Sequence, residues 1–153
     1  MKVYSIFFVL VFLSGCAPTA ARTVFYQRNE RGEIKSKTLD RLLWENPLPP
    51  DENLSSTLIL VSDMTSYHLV QVRGSEIPHK HEFHDLVVFI QLGSGKMVSG
   101  KENFAVKEGS VVFIPHGVVH QFINGGGEPA VAIAVFSPAY DGKDAVEMPA
   151  GGK

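Results

Sequence analysis

Residues 79–85, HKHEFHD, put three histidines and two acids into seven positions. On a β-strand, residues two apart project from the same face, so His79 and His81 offer two imidazoles to one point in space. Imidazole ligates Fe, Mn, Ni, Cu and Zn alike, and the pair is therefore a candidate for holding a divalent transition ion without choosing which. His84 and Asp85 follow directly, while Glu82 reads as a solvated loop acid.

Such a pair needs a strand to aim it and others to surround it. From Leu58 onward the chain is a series of short β-rich runs broken by turn residues, among them LILVS, YHLVQVRG, LVVFIQLGSG, FAVKEG, SVVFIPHG and AVAIAVFSP. Regular short strands with no long helical window predict an antiparallel sandwich or barrel. Upstream, Leu39, Leu42 and Leu43 fall at helical spacing beside Trp44, and Pro47, Pro49 and Pro50 then forbid continuation. This predicts a short amphipathic helix packed on the main domain, with Trp44 as an anchor.

The stretch GSVVFIPHGVVHQFIN carries Gly109, Pro115-His116-Gly117, His120 and Asn124 at a spacing similar to the second signature motif of the cupin family. Gly74, His79, His81 and Gly93 resemble the first motif, with Gly74 one residue late. Together the motifs tie residues 58–136 to a small cupin. The resemblance implies an all-β fold, a single cupin (double-stranded β-helix, or jelly-roll) barrel with a short N-terminal extension. It also implies that His120 joins His79 and His81 around the ion.

The family's usual carboxylate ligand would fall at 85 or 86, occupied here by Asp85 and Leu86. If Leu86 faces inward, so do Val88, Ile90 and Leu92, and Gln91 stays outside; the opposite register drives Gln91 into the core. The first register costs less. It places His84 on the side of Leu86 as a candidate fourth ligand, while Asp85 is a candidate either to reach across the turn or to orient an imidazole. His68 reads as a hydrogen-bonded core histidine and His116 as an exposed one. The pocket wall is expected to be aliphatic, from Leu86, Val88, Ile90 and Phe122, with no acid or base beyond Asp85, His84 and Tyr67.

Three function classes follow. Metal-dependent cupins include dioxygenases and isomerases acting on small molecules, so the resemblance implies an enzyme as one class. A non-catalytic small-ligand or metal-binding lipoprotein is the second, and a structural lipoprotein with incidental histidines the third. Apolar residues on both faces of the strand holding Val87 and Phe89 imply a covered outer face, by residues 37–50 or by a second subunit. By resemblance to other cupins the latter would be a homodimer. With 44% hydrophobic and 20% charged residues and a net charge of −2, the chain has a globular composition and no basic excess for nucleic acid.

At the N-terminus Lys2 precedes an apolar run, Val3 to Leu13, too short to span a bilayer and suited to a secretory leader. Leu13-Ser14-Gly15-Cys16 resembles the lipobox of bacterial lipoproteins, which implies cleavage after residue 15, acylation of Cys16 and a palmitate-bearing membrane anchor facing the periplasm. Ala17 after the cysteine favours the outer membrane by resemblance to enterobacterial sorting. The expected organisation is a signal peptide at 1–15, a tether and extension at 16–57, the cupin domain at 58–140 and a tail at 141–153. Cys16 is the only cysteine, so no intrachain disulfide competes for it. Replacing Cys16 with serine is expected to abolish incorporation of a fatty-acid analogue, and unchanged labelling would refute the anchor.

Overall fold

The computed structural model describes residues 24–28 and 31–149; the leader and Cys16 lie outside them. In chain order the elements are β1 (Val24–Arg28), β2 (Ile34–Thr38), α1 (Leu39–Glu45), β3 (Leu54–Val61), β4 (Ser66–Val72), β5 (His79–His81), β6 (Asp85–Leu92), β7 (Ser94–Ser99), β8 (Glu102–Lys107), β9 (Val111–Ile114), β10 (His120–Asn124), β11 (Ala130–Ser137) and β12 (Ala145–Glu147). β1 and β2 form a hairpin. The rest make two five-stranded antiparallel sheets, β12-β5-β10-β7-β8 and β3-β4-β11-β6-β9, facing each other as the all-β jelly roll expected from the sequence. The sheets extend beyond residues 58–140, with β3 beginning at Leu54 and β12 ending at Glu147.

β11 lies at the centre of the second sheet and is covered on both sides, which is why its sequence, AVAIAVF, is apolar without alternation. Ala132, Ala134 and Phe136 join the core between the sheets, with Leu86, Ile90, Met97, Ile114 and Phe122. Val131 and Ile133 face the other way and pack with Leu69 of β4 under Leu39 and Leu42 of α1. The helix is built for that position. Thr38 Oγ1 accepts the Arg41 N–H at 3.2 Å as its N-cap, Asp40 lies in its first turn, and Asn46 closes it by donating to the Leu42 carbonyl from both backbone and side chain.

Trp44 does not anchor the helix: it is 72% exposed, and the Arg41 guanidinium lies over its ring at 4.5 Å. A seven-residue helix has a narrow contact face, which Leu39 and Leu42 already fill, so the next bulky residue is turned outward. α1 covers only part of the outer face. Phe89, Val111 and Phe113, on β6 and its edge partner β9, remain 38%, 59% and 59% exposed.

On β6 the inward register begins as expected, with Leu86, Val88 and Ile90 toward the interior. Leu92 departs from it and packs with the cluster beneath α1. A β-bulge explains the change: Ile90 pairs with Ala132 and Leu92 with Val131, so Gln91 is the extra residue and the parity reverses after it. Gly109 and Gly117 take φ values of +85° and +75°, a backbone region that side chains disfavour. These two turns carry the chain into β9 and out toward β10, and the Gly117 N–H donates to the His81 carbonyl at 2.6 Å.

Leu69→Ala, at a fully buried position beneath α1, is expected to destabilise the protein by about 2–5 kcal/mol in urea unfolding, whereas Trp44→Ala should cost under about 1 kcal/mol. Equal losses would contradict the packing of α1 through its leucines.

Candidate metal centre

β5 and β10 are antiparallel neighbours in which His79 stands directly opposite His120. His81, two residues on, shares the face of His79. The ligand atoms of His79, His81 and His120 consequently lie within 4.8 Å of one another, with His81 and His120 buried and His79 half-buried. Ring centroids are 4.3 Å apart for His79 and His120, 5.3 Å for His79 and His81, and 5.6 Å for His81 and His120.

Each ring is held through Nδ1. His79 Nδ1 lies 2.8 Å from the Ile77 carbonyl, His120 Nδ1 lies 3.0 Å from the Val118 carbonyl, and His81 Nδ1 lies 3.1 Å from Asp144 Oδ1. A carbonyl or carboxylate oxygen only accepts, so in all three rings Nδ1 carries the proton and the Nε2 lone pair is left for another partner. His120 Nε2 is buried with no hydrogen-bond partner. Such an atom costs roughly 1–3 kcal/mol when left unmade, and a cation is the partner that suits a lone pair surrounded by two more imidazoles. The donor set therefore fits a divalent transition ion.

Burial favours the neutral rings that ligation requires. It pushes the pKa of His120 down to about 4, outweighing the Val118 carbonyl, and His79 and His81 add to the shift. The His81 pKa is also lowered by burial, against the opposing pull of Asp144.

The structure does not bring the other two candidates to this cluster. His84 is buried, but its Nδ1 is bonded to Asp144 Oδ2 at 2.5 Å, and its ring stands edge-on to Tyr140. Asp85 lies on the far side of the strand from Leu86, where its Oδ1 accepts from both the backbone N–H and Nδ1 of His116 at 2.9 and 2.8 Å. Those bonds hold its carboxyl below the usual range. Alternation along β6 accounts for this, since an inward Leu86 leaves its neighbour outward. His116 is exposed, and His68 is a core histidine bonded to Ser66 Oγ at 3.0 Å, both as expected.

Two acids that sequence reasoning did not single out complete the surroundings. Asp144 is 7% exposed and spans His81, His84 and the Phe83 N–H; burial alone would raise its pKa, but hydrogen bonds from His84, Phe83 and His81 hold it lowered. It orients His81 as an outer carboxylate orients a ligating imidazole. Glu76 lines the same cavity as the three histidines. Its backbone N–H donates to the Phe122 carbonyl while its Oε2, in place of a main-chain carbonyl, accepts the Phe122 N–H at 2.8 Å. Burial raises its pKa in spite of that bond.

Residues 66–136 match the family model described as Cupin domain. The chain is 43% identical over 83 residues to an uncharacterized protein of Aquifex aeolicus, covering 54% of this chain and 68% of that one. The chain belongs to the cupin family. Solved cupin-fold structures agree in architecture: KdgF from Halomonas sp. is 22% identical with a TM-score of 0.57, over 64% of this chain and 91% of that one. Pac13 from Streptomyces, described as a nucleoside dehydratase, is 13% identical with a TM-score of 0.54, over 63% of this chain and 78% of that one.

The low pKa of His120 gives this cupin a defined response to acid when it is free of metal. The unfolded chain takes up the imidazole proton near 6.5, the native chain only near 4. Native stability is therefore complete above about pH 6.5 and falls as the pH drops toward 4, by about 3 kcal/mol from His120 alone. Urea unfolding of the metal-free protein between pH 7 and 4.5 checks this, and His120→Gln is expected to flatten the dependence.

Proposed function

We propose that the chain is a lipid-anchored periplasmic cupin that holds one divalent transition ion through His79, His81 and His120 and acts on a small molecule inside its barrel. The observation that carries the metal is the buried, unpartnered Nε2 of His120 facing two rings whose Nδ1 atoms are likewise committed to acceptors. Anchoring rests on the leader and Cys16, and the exposed strip of Phe89, Val111 and Phe113 is where a second copy would cover the outer face.

When bound, the ion would supply Lewis-acid polarisation of a ligand oxygen. The protein's own residues do the rest. Asp144 keeps His81 in one tautomer and one orientation. Phe136 and Tyr140, stacked at 4.6 Å, set their edges against His81 and His84 and keep water from that side. Glu76, whose carboxyl burial pushes up from its ordinary range, lines the cavity beside the histidines, where it can exchange a proton with a bound molecule. Proton transfer is the common requirement of isomerase- and dehydratase-type reactions, and the latter is the activity named for Pac13. The reading as an enzyme rests on Glu76. The alternative, a non-catalytic binder of metal or a small ligand, is favoured by the mostly apolar wall around the histidines.

Calorimetry with Fe(II), Mn(II), Ni(II), Cu(II) and Zn(II) is expected to give one ion per chain. His79→Ala, His81→Ala or His120→Ala should each weaken binding by more than the roughly 10- to 100-fold expected for Asp144→Asn, which removes only an orienting partner. His116→Ala should leave binding intact and His84→Ala should cost little, whereas a loss at His84 as large as at His81 would make it a fourth ligand. Binding no tighter than in the triple alanine variant would end the metal reading.

A further inference from the structure

A strand at the centre of a sheet ordinarily places its larger side chains where the core is thickest. β11 does the reverse: its outward residues are Val131 and Ile133, and its inward residues at 130, 132 and 134 are all alanine. The space is not taken up from the opposite sheet. A cavity of about 450 Å³ remains between the sheets, inside the roughly 300–1,000 Å³ range of small-molecule sites. Into one end of it faces His120, 3% exposed, with its Nε2 unpartnered.

The walls are divided by chemistry. The polar lining is the three histidines with Glu76, Glu147, Asn53, Ser56 and Tyr140, and the rest is apolar, with Val88, Ile90, Met97 and the three alanines. Neither lysine nor arginine lines the cavity among the described residues, so nothing there neutralises a phosphate. A hydroxyl pressed against the alanine wall would lose its water without gaining a partner. The lack of a lining cation disfavours a phosphorylated body, and the mostly apolar wall disfavours a heavily hydroxylated one such as the uridine of the Pac13 structure.

We propose that the cavity takes an amphiphile with a single oxygen-donor head at His79, His81 and His120 and a hydrocarbon body seated against Ala130, Ala132 and Ala134. This rests on the metal reading for the head and on the cavity wall alone for the body. The body binds by displacing weakly held water from an apolar surface, and the head is fixed by the ion.

The probes are straight-chain carboxylates from propanoate to decanoate, with uridine as the hydroxylated comparison, titrated into Zn(II)-loaded protein. Affinity is expected to rise about fourfold per added methylene, the ratio given by burial of one such group, until the cavity is filled. Uridine should bind no better than propanoate. Ala132→Leu should bring the plateau to a shorter chain while Zn(II) affinity stays within about twofold of the parent, since residue 132 is not one of the three histidines that would hold the ion. Should that variant not fold, the slope in the parent protein decides alone. Affinity independent of chain length, or uridine binding tighter than every carboxylate, overturns the proposal while leaving the metal reading in place. If the protein takes no ion, the metal reading fails, and the same series on the metal-free protein decides for the body: a retained slope supports it and a flat one overturns it.

Discussion

The pairing of His79 with His120 across β5 and β10 is the constraint on which the site depends. β5 is only three residues long, and a register shift of one residue would turn His79 and His81 away from His120 together. Several contacts on either side hold that register. Upstream, Glu76 exchanges two hydrogen bonds with Phe122 and Ser75 bridges to Ile123; downstream, the Gly117 N–H reaches the His81 carbonyl. β12 pairs with the other edge of β5, placing Glu147 opposite His79 and Ala145 opposite His81. A short strand that would be marginal alone is thus clamped between two partners.

The same economy appears in β11, whose two faces serve different ends. Its outward residues bind α1 and contribute stability, while its inward alanines leave a cavity and forgo the packing that larger side chains would have added. Central strands tolerate such a void because their backbone is paired on both sides, by β4 and by β6, and does not rely on the inward side chains to stay in place. The void therefore lies against a strand whose backbone is paired on both sides, which suits a site that must hold its shape without a ligand.

The strands and the His79–His81 pair were legible because they follow from short-range rules, whereas the closed barrel and the joining of His120 to that pair were legible through the resemblance to the cupin motifs. His-x-His has a fixed meaning on a strand, the turn glycines have a fixed backbone requirement, and the apolar runs mark strands whatever their neighbours. Legibility ended where a side chain's role is set by a distant partner. Asp144 lies in DGKDAVE, with nothing nearby to distinguish it, and acquires its role only when β12 brings it back to His81 and His84. Glu76 precedes Pro78, so no parity argument carries from it to His79; its burial is determined by β10. Trp44 fell short of the anchoring its size suggested because helix length, rather than hydrophobicity, limited the contact face. Leu92 followed a bulge that no alternation pattern announces.

Asp144 also explains why His84 is buried beside the cluster without joining it. While Oδ1 of Asp144 orients His81, its buried Oδ2 would be costly to leave unpaired, and His84 Nδ1 and the Phe83 N–H supply two donors to it. With Oδ2 so engaged the carboxyl stays ionised, and an ionised Asp144 is what keeps the His81 proton on Nδ1 and its Nε2 turned to the cluster. His84 thus acts on the site through two intermediates. Its nearness in sequence to His79 and His81 suggested ligation; its hydrogen bond makes it a support of Asp144, which orients His81.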